Sequence, residues 1–182
     1  MTSVALYTIS YVNILAPDPT DPTGLREIVT PGLTSSGAEF TIQGNIHQFS
    51  VLAGYAYDKV VFSNNSPLGP KGGRYDNAPA SVANLYVKYS VPGNTALKGL
   101  TLSVGSNYVG ERNGWATNQH FLMPAYALLD AAVSYTTRKF TIGLNGNNLL
   151  NNNYVLGYYA SDLMVQVGTP VNWKLSIRYS IK

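Results

Sequence analysis

Cysteine is absent from the 182 residues, which excludes disulfide frameworks, thiolate metal sites and cysteine nucleophiles. Charge is scarce: Asp, Glu, Lys and Arg make up 12% of the chain, against roughly 25% in a soluble globular domain. The formal net charge of +3 is small and dispersed, and no basic run exceeds the pair Arg138-Lys139, so a nucleic-acid partner is not expected. No stretch approaches the ~18 consecutive apolar residues of a transmembrane helix, and no segment carries helical periodicity. The N-terminus lacks the basic start, apolar run and small-residue cleavage site of a secretory leader, since Met1-Thr2-Ser3 leads straight into Val4.

What the chain has instead is alternation. In the last twelve residues, Trp173, Leu175, Ile177, Tyr179 and Ile181 fall on one face of a strand and Asn172, Lys174, Ser176, Arg178, Ser180 and Lys182 on the other. One face meets oil and the other water, with amphipathic rings near both ends of the apolar stripe. The same dyad puts Phe40 and Ile42 opposite Glu39, and Phe49, Val51, Ala53, Tyr55 and Tyr57 opposite Ser50, Gly54 and Asp58. It puts Leu85, Val87 and Tyr89 opposite Asn84, Tyr86 and Lys88, and Leu102, Val104 and Tyr108 opposite Ser103, Gly105 and Asn107. It continues with Leu129, Ala131, Val133 and Tyr135 opposite Asp130, and with Phe140, Ile142 and Leu144 opposite Thr141, Gly143 and Asn145. In the first strand, Ala5, Tyr7, Ile9 and Tyr11 are expected on the apolar side and Leu6, Thr8 and Ser10 on the other. This predicts an all-β, antiparallel, up-and-down transmembrane barrel segment of about eight strands, each near the ~9–11 residues a tilted membrane strand needs.

Connections alternate in length. Short ones fall at 44–47, 92–98 and 136–138, and long, Gly-, Pro- and Asn-rich ones at 15–26, 59–80, 112–124 and 150–170. Outer-membrane barrels have brief periplasmic turns and longer extracellular loops, which places the long loops outside the cell and both chain ends in the periplasm. The inferred lumen face then carries Glu39, Asn84, Lys88, Asn107, Glu111, Asp130, Lys174 and Arg178. Each is expected either to touch a partner inside the barrel or to stand as a solvated wall charge.

Catalytic and metal patterns are weak. His47 and His120 lie in connections on opposite sides of the inferred membrane, so no metal site is expected. His120, Asp130 and a serine assemble a hydrolase triad only on paper, because no nucleophile elbow fixes the geometry. Gly69, Gly72 and Gly73 are followed by no helix whose N-terminus could hold a phosphate. No cofactor is called for. Two architectures besides a larger barrel stay open: a self-contained eight-strand barrel, or a soluble β-sandwich, either one holding a small molecule or carbohydrate through aromatic loops. A closed small barrel would need Glu39, Lys88, Asp130 and Arg178 paired inside it.

The order of short motifs resembles the C-terminal part of the barrel of TonB-dependent outer-membrane siderophore receptors. The matching residues are Ala5-Leu6-Tyr7-Thr8-Ile9, Asn13, Ser36-Gly37-Ala38-Glu39, Gly54-Tyr55-Ala56-Tyr57, Asn77-Ala78-Pro79 and Leu97-Lys98-Gly99-Leu100. They continue with Tyr108-Val109-Gly110-Glu111-Arg112, Pro124 to Asp130, Asn145 to Tyr154, Gly168-Thr169-Pro170 and the final strand. The resemblance implies that residues 1–182 are a single barrel region, about the last eight strands of a 22-stranded wall, without the plug domain and TonB box. It implies a bacterial outer-membrane location, outer-membrane lipid around the wall, and active transport rather than catalysis. The cargo would be a ferric siderophore or similar scarce nutrient, driven by the TonB complex through the N-terminal part. It also implies roles for loop residues. Arg74 and Arg112 would attract an anionic iron complex, and Tyr75, Trp115, His120 and Tyr158, with Phe62, Phe121, Tyr154 and Tyr159 nearby in sequence, would contact it. Glu39, Lys88, Glu111, Asp130 and Arg178 would face the plug. Two departures bear on this: the start at Met1 without a leader reads as a fragment or a start assigned at an internal Met, and Ser180-Ile181-Lys182 replaces the family's usual terminal Phe or Trp, a signal for barrel assembly.

Overall fold

β-Branched and aromatic residues at every second position clear a pleated backbone on alternate faces, and the chain accordingly folds as strands. The computed structural model describes all residues except 19, 24, 68, 117, 118, 160–163 and 182. Among the described residues the elements run β1 (Thr2–Tyr11), β2 (Ile14–Pro17), β3 (Glu27–Thr30), β4 (Leu33–Ile46), β5 (Phe49–Phe62), β6 (Ser81–Ser90) and β7 (Leu100–Val109). They continue with β8 (Arg112–Ala116), β9 (Gln119–Met123), β10 (Tyr126–Thr136), β11 (Phe140–Asn147), β12 (Val155–Tyr159), β13 (Met164–Val167) and β14 (Asn172–Tyr179).

Eight strands make one antiparallel sheet in the order β1-β4-β5-β6-β7-β10-β11-β14. The six short strands pair off as hairpins β2–β3, β8–β9 and β12–β13, all at the long-loop end. The sheet is open. β1 and β14 are its two edges, so the eight strands do not close into a small barrel, and the inward charges do not pair with one another: among the described residues the ion pair formed is Arg26 with Asp18, outside the sheet.

Register fixes the faces, because residues paired across antiparallel strands share a side. Phe40 pairs with Tyr55, Tyr55 with Ala83 and Ala83 with Tyr108, while Val133 pairs with Leu144 and Leu144 with Leu175. This face is apolar and uncovered: Trp173, Leu175 and Ile177 are each more than 60% exposed. A sandwich would bury such a face against a second sheet. Here the buried hydrophobic residues among those described are Ala16, Leu33, Phe62 and Met123, gathered at the long-loop end. At the short-turn end the rings of Phe49 and Tyr89, and of Phe140 and Tyr179, lie 4.8 Å apart. Trp173 and Tyr179 stand six residues apart, about 20 Å along the strand at ~3.3 Å per residue, comparable with the apolar band of an outer-membrane barrel.

Besides the three hairpins that form within the long connections, the sequence expectation fails in two places. In β1, Val4 pairs with Phe40 and Leu6 with Ala38, whereas Ala5 pairs with Glu39 and Tyr7 with Gly37. Val4 and Leu6 therefore occupy the apolar face, and Tyr7, Ile9 and Tyr11 turn to the polar one. Gly37 makes this possible: a Cβ there would come within 2.6 Å of the Tyr7 hydroxyl, so the missing side chain leaves the space the ring fills. The second difference is length. β4 and β5 run for 14 residues each, beyond the expected strand end near Asp58. The segment after β5 folds back on it, with the Phe62 amide donating to the Gly73 carbonyl at 3.0 Å and the Tyr75 amide to the Val60 carbonyl at 2.9 Å.

Candidate functional site

The polar face of the sheet is a wall of amides, hydroxyls and isolated charges. Asn84 lies directly across from Asn107, Lys88 stands between Ser50 and Ser103, Asp130 faces Gly105, Asn145 faces Lys174, and Arg178 faces Thr141. Glu39 sits between Ala5 and Ala56. The expected lumen residues in strands thus share one face, but they are spread along it rather than gathered. Glu111 lies between β7 and β8, exposed at the rim. A recess along this face is lined by Asn84, Tyr86, Ser103, Asn107, Asp130 and Asn145. Asp130 is committed locally, its Oδ1 accepting the Asn148 amide at 2.8 Å.

Above the wall, the long connections form a crown, and Arg112 is where they meet. It is 6% exposed. Its Nη1 donates to Asn77 Oδ1 at 3.0 Å and to the Leu156 carbonyl at 2.7 Å, and its Nη2 donates to the Val155 carbonyl. The guanidinium lies 5.8 Å from the ring centre of Tyr126. One side chain thereby ties the connection after β5, the β8–β9 hairpin, the start of β10 and the β12–β13 hairpin. The sequence places Arg112 as an exposed attractor of anions; its burial and its carbonyl partners make it an internal tie instead, with Nε buried and unpartnered.

The other expected ligand residues separate. Tyr75 packs edge-on against Phe62 at 5.9 Å, on the polar side of the wall, and remains 39% exposed. Arg74 pairs with Val61, which continues the apolar row of Tyr55 and Tyr57, so Arg74 turns outward. Neighbours in an extended segment point to opposite faces; Arg74 and Tyr75 do not serve one site together. Tyr158 packs edge-on against Phe121 at 5.1 Å, across the β12 and β9 hairpins, and Tyr154 stacks with Tyr126 at 4.6 Å. Trp115 and His120 are cross-strand partners in β8–β9, and their side chains lie outside what the structure describes, as does that of Tyr159. Among the described residues, no group of three or more His, Asp or Glu side chains is arranged to hold a metal.

The sequence marks the asparagines after β11 only as a motif, yet they hold the crown to the wall. Asn148 and Asn151 adopt φ of 49°, a left-handed conformation that asparagine tolerates better than most residues. Asn148 Nδ2 donates to the carbonyls of Asn152 and Thr169, its Oδ1 accepts the Asn152 amide, and Asn152 Nδ2 donates to the Ala127 carbonyl. Asn151 Oδ1 accepts the Val171 amide at 3.1 Å. In the β2–β3 connection two carboxylates are held by local donors. The Thr20 hydroxyl and amide lower the pKa of Asp18 below the usual range, helped by Arg26 against the opposing effect of burial. The Thr23 hydroxyl, with the amides of Thr23, Arg26 and Leu25, lowers that of Asp21.

Known proteins share this architecture. The family model described as TonB dependent receptor-like, beta-barrel, matches residues 1–149. Metal-pseudopaline receptor CntO of Pseudomonas aeruginosa is 27% identical over 177 residues, 96% of this chain and 24% of that protein. The pyoverdine outer membrane receptor FpvA from Pseudomonas aeruginosa PAO1, bound to pyoverdine, superposes with a TM-score of 0.76 at 25% identity, over 99% of this chain and 27% of its own. The ferric yersiniabactin uptake receptor FyuA from Yersinia pestis reaches a TM-score of 0.82 at 19% identity, over 98% of this chain and 27% of its own. The chain spans about a quarter of the relatives it matches. The family and its neighbours are bacterial outer-membrane proteins, a setting in which lipid covers an apolar outer face of this kind. With an open sheet apolar on one side and polar on the other, a crown of long loops, and a family match over most of the sequence, the chain belongs to the TonB-dependent receptor β-barrel family.

Proposed function

We propose that this chain is the C-terminal wall and part of the outer crown of a receptor that imports a metal held by a siderophore or similar small chelator, using energy delivered by TonB, and that it carries no catalytic step. The observation that carries this is the polar face: a continuous surface of amides and unpaired charges beneath a loop crown, backed by a broad apolar face. Family membership and the receptors it resembles, named for pseudopaline, pyoverdine and yersiniabactin, support the cargo class. In this reading Glu39, Lys88, Asp130 and Arg178 face a plug, Glu111 stands at the rim, and Tyr75, Tyr158, Trp115 and His120 belong to the ligand-facing crown. Arg112 holds the crown in shape.

The test is binding and uptake in cells producing the full receptor, with ferric hydroxamate, catecholate and carboxylate siderophores as probes. One class should bind, and its uptake should stop when TonB is removed. Tyr75→Ala and Tyr158→Ala should each weaken its binding by roughly tenfold or more, as aromatic anchors do. Uptake that persists without TonB, or no binding of any metal chelate, would sink this function.

A further inference from the structure

The outward face changes character along β1, β4 and β5. Register sets it out in rows: Leu6, Ala38 and Tyr57; then Thr8, Ser36 and Lys59; then Ser10, Thr34 and Val61, with Arg74 beside Val61. Below, the rows are apolar and end in the girdle tyrosines Tyr55 and Tyr57. Immediately above, they turn to hydroxyls and cations. Lys59 and Arg74 are both exposed, and neither forms an ion pair with a described residue. Arg74 is the cross-strand partner of Val61, so Lys59, two residues back on the same face, is its diagonal neighbour at about 7–8 Å, within reach of two long side chains closing on one group.

Within β4 and β5, charge is sorted by sign across the thickness of the wall. The carboxylates of the same strands, Glu39 and Asp58, point inward, in register with Ala5 and with Gly37, and Asp58 accepts the Ser35 hydroxyl at 2.7 Å. Outward, at the height where hydrocarbon gives way to headgroups, this part of the wall presents two cations and four hydroxyl side chains. A ligand inside the barrel cannot reach them, because the backbone of the wall stands between.

We propose that Lys59 and Arg74, with Thr8 and Ser36 beside them, form a docking site for the phosphate of a phosphorylated lipid headgroup in the outer leaflet. Arg74 offers a planar pair of donors to phosphate oxygens, Lys59 a mobile point charge, and the hydroxyls complete the shell. The site rests on the orientation of the wall in its membrane and does not depend on what the receptor imports.

The experiment uses the full receptor purified in zwitterionic detergent and titrated with bisphosphorylated lipid A, the bound lipid being read by native mass spectrometry and folding by the heat-dependent gel shift. Wild type should retain lipid A, and the Lys59→Gln/Arg74→Gln double variant should bind it about thirtyfold more weakly, the loss expected of two surface cations facing anionic headgroups. The charge-conserving Lys59→Arg variant should keep wild-type affinity. Undiminished affinity in the folded double variant would overturn the site. So would equal binding of wild type to lipid A stripped of both phosphates, a comparison that needs no variant to fold. Full displacement by millimolar inorganic phosphate would make it an ion site and overturn the assignment to lipid.

Discussion

Asn148 is 3% exposed, and its side-chain amide bonds to backbone groups on either side of the β12–β13 hairpin, Asn152 before it and Thr169 after it. Removing a buried amide leaves each of those groups with a desolvation cost of about 1–3 kcal/mol, and alanine also tolerates the left-handed backbone worse than asparagine. Asn148→Ala should therefore destabilise the folded chain by roughly 2–4 kcal/mol, measured by denaturant titration in detergent. Asn148→Asp, which keeps one acceptor but sets a buried carboxylate against the Asn152 and Thr169 carbonyls, should cost at least as much as alanine. A loss within ~0.5 kcal/mol would mean the amide is dispensable. The run Asn145 to Tyr154 was visible in sequence, but its work was not, because Thr169 lies 21 residues away from Asn148 and sequence spacing carries no sign of that contact. Arg112 shows the same limit. A lone arginine in a polar loop reads as exposed, and only the folded crown brings the Val155 and Leu156 carbonyls to it.

At the scale of elements, period-two patterning placed the faces of seven sheet strands correctly, since each had a mainly apolar row opposite a mainly polar one. β1 misled because tyrosine is amphipathic: Tyr7 satisfies the apolar pattern from sequence but fills a notch at Gly37 on the polar side, a fit decided by the neighbouring strand. The three crown hairpins were hidden in stretches of four or five residues, too short for periodicity to register. Their attachment points give two predictions. Arg112→Met keeps the bulk and removes the hydrogen bonds, so amide exchange in the β12–β13 hairpin should accelerate while β10 and β11 remain protected. Uniform acceleration across the sheet would assign Arg112 to the wall instead. The β2–β3 connection should respond to acid. Asp18 and Asp21 have lowered pKa values in the folded chain, so the stability they contribute is complete above the unfolded carboxylate value of about 3.9 and is lost as pH falls through their folded values. Protease nicking between Ala16 and Ile28 should therefore be low at neutral pH and rise below about pH 4, sooner in Thr20→Val and Thr23→Val. Cutting that does not change with pH in that window would remove the carboxylates from the account.

For the whole molecule, the deciding quantity is where apolar surface lies. The sheet leaves one face uncovered from Val4 and Leu6 at one edge to Leu175 and Ile177 at the other, residues that are 68%, 80%, 65% and 67% exposed. Both edge strands also carry unpaired backbone groups, a template for further strand pairing. In water these two features act together, since strands that add to an open edge also extend the apolar face. The isolated 182-residue chain should therefore precipitate or form large β-rich assemblies in plain buffer. In detergent micelles the apolar face is covered, leaving only the edges to be paired, so refolding there should yield a β-type circular dichroism spectrum with a heat-dependent gel shift. Its particles should be small and discrete, with size-exclusion giving one copy or a few joined edge to edge. A sharp, reversible, monomeric β-fold without detergent would mean that the apolar rows pack against each other in solution, in an arrangement the open sheet does not allow, and the lipid-facing assignment of this wall would fall with it.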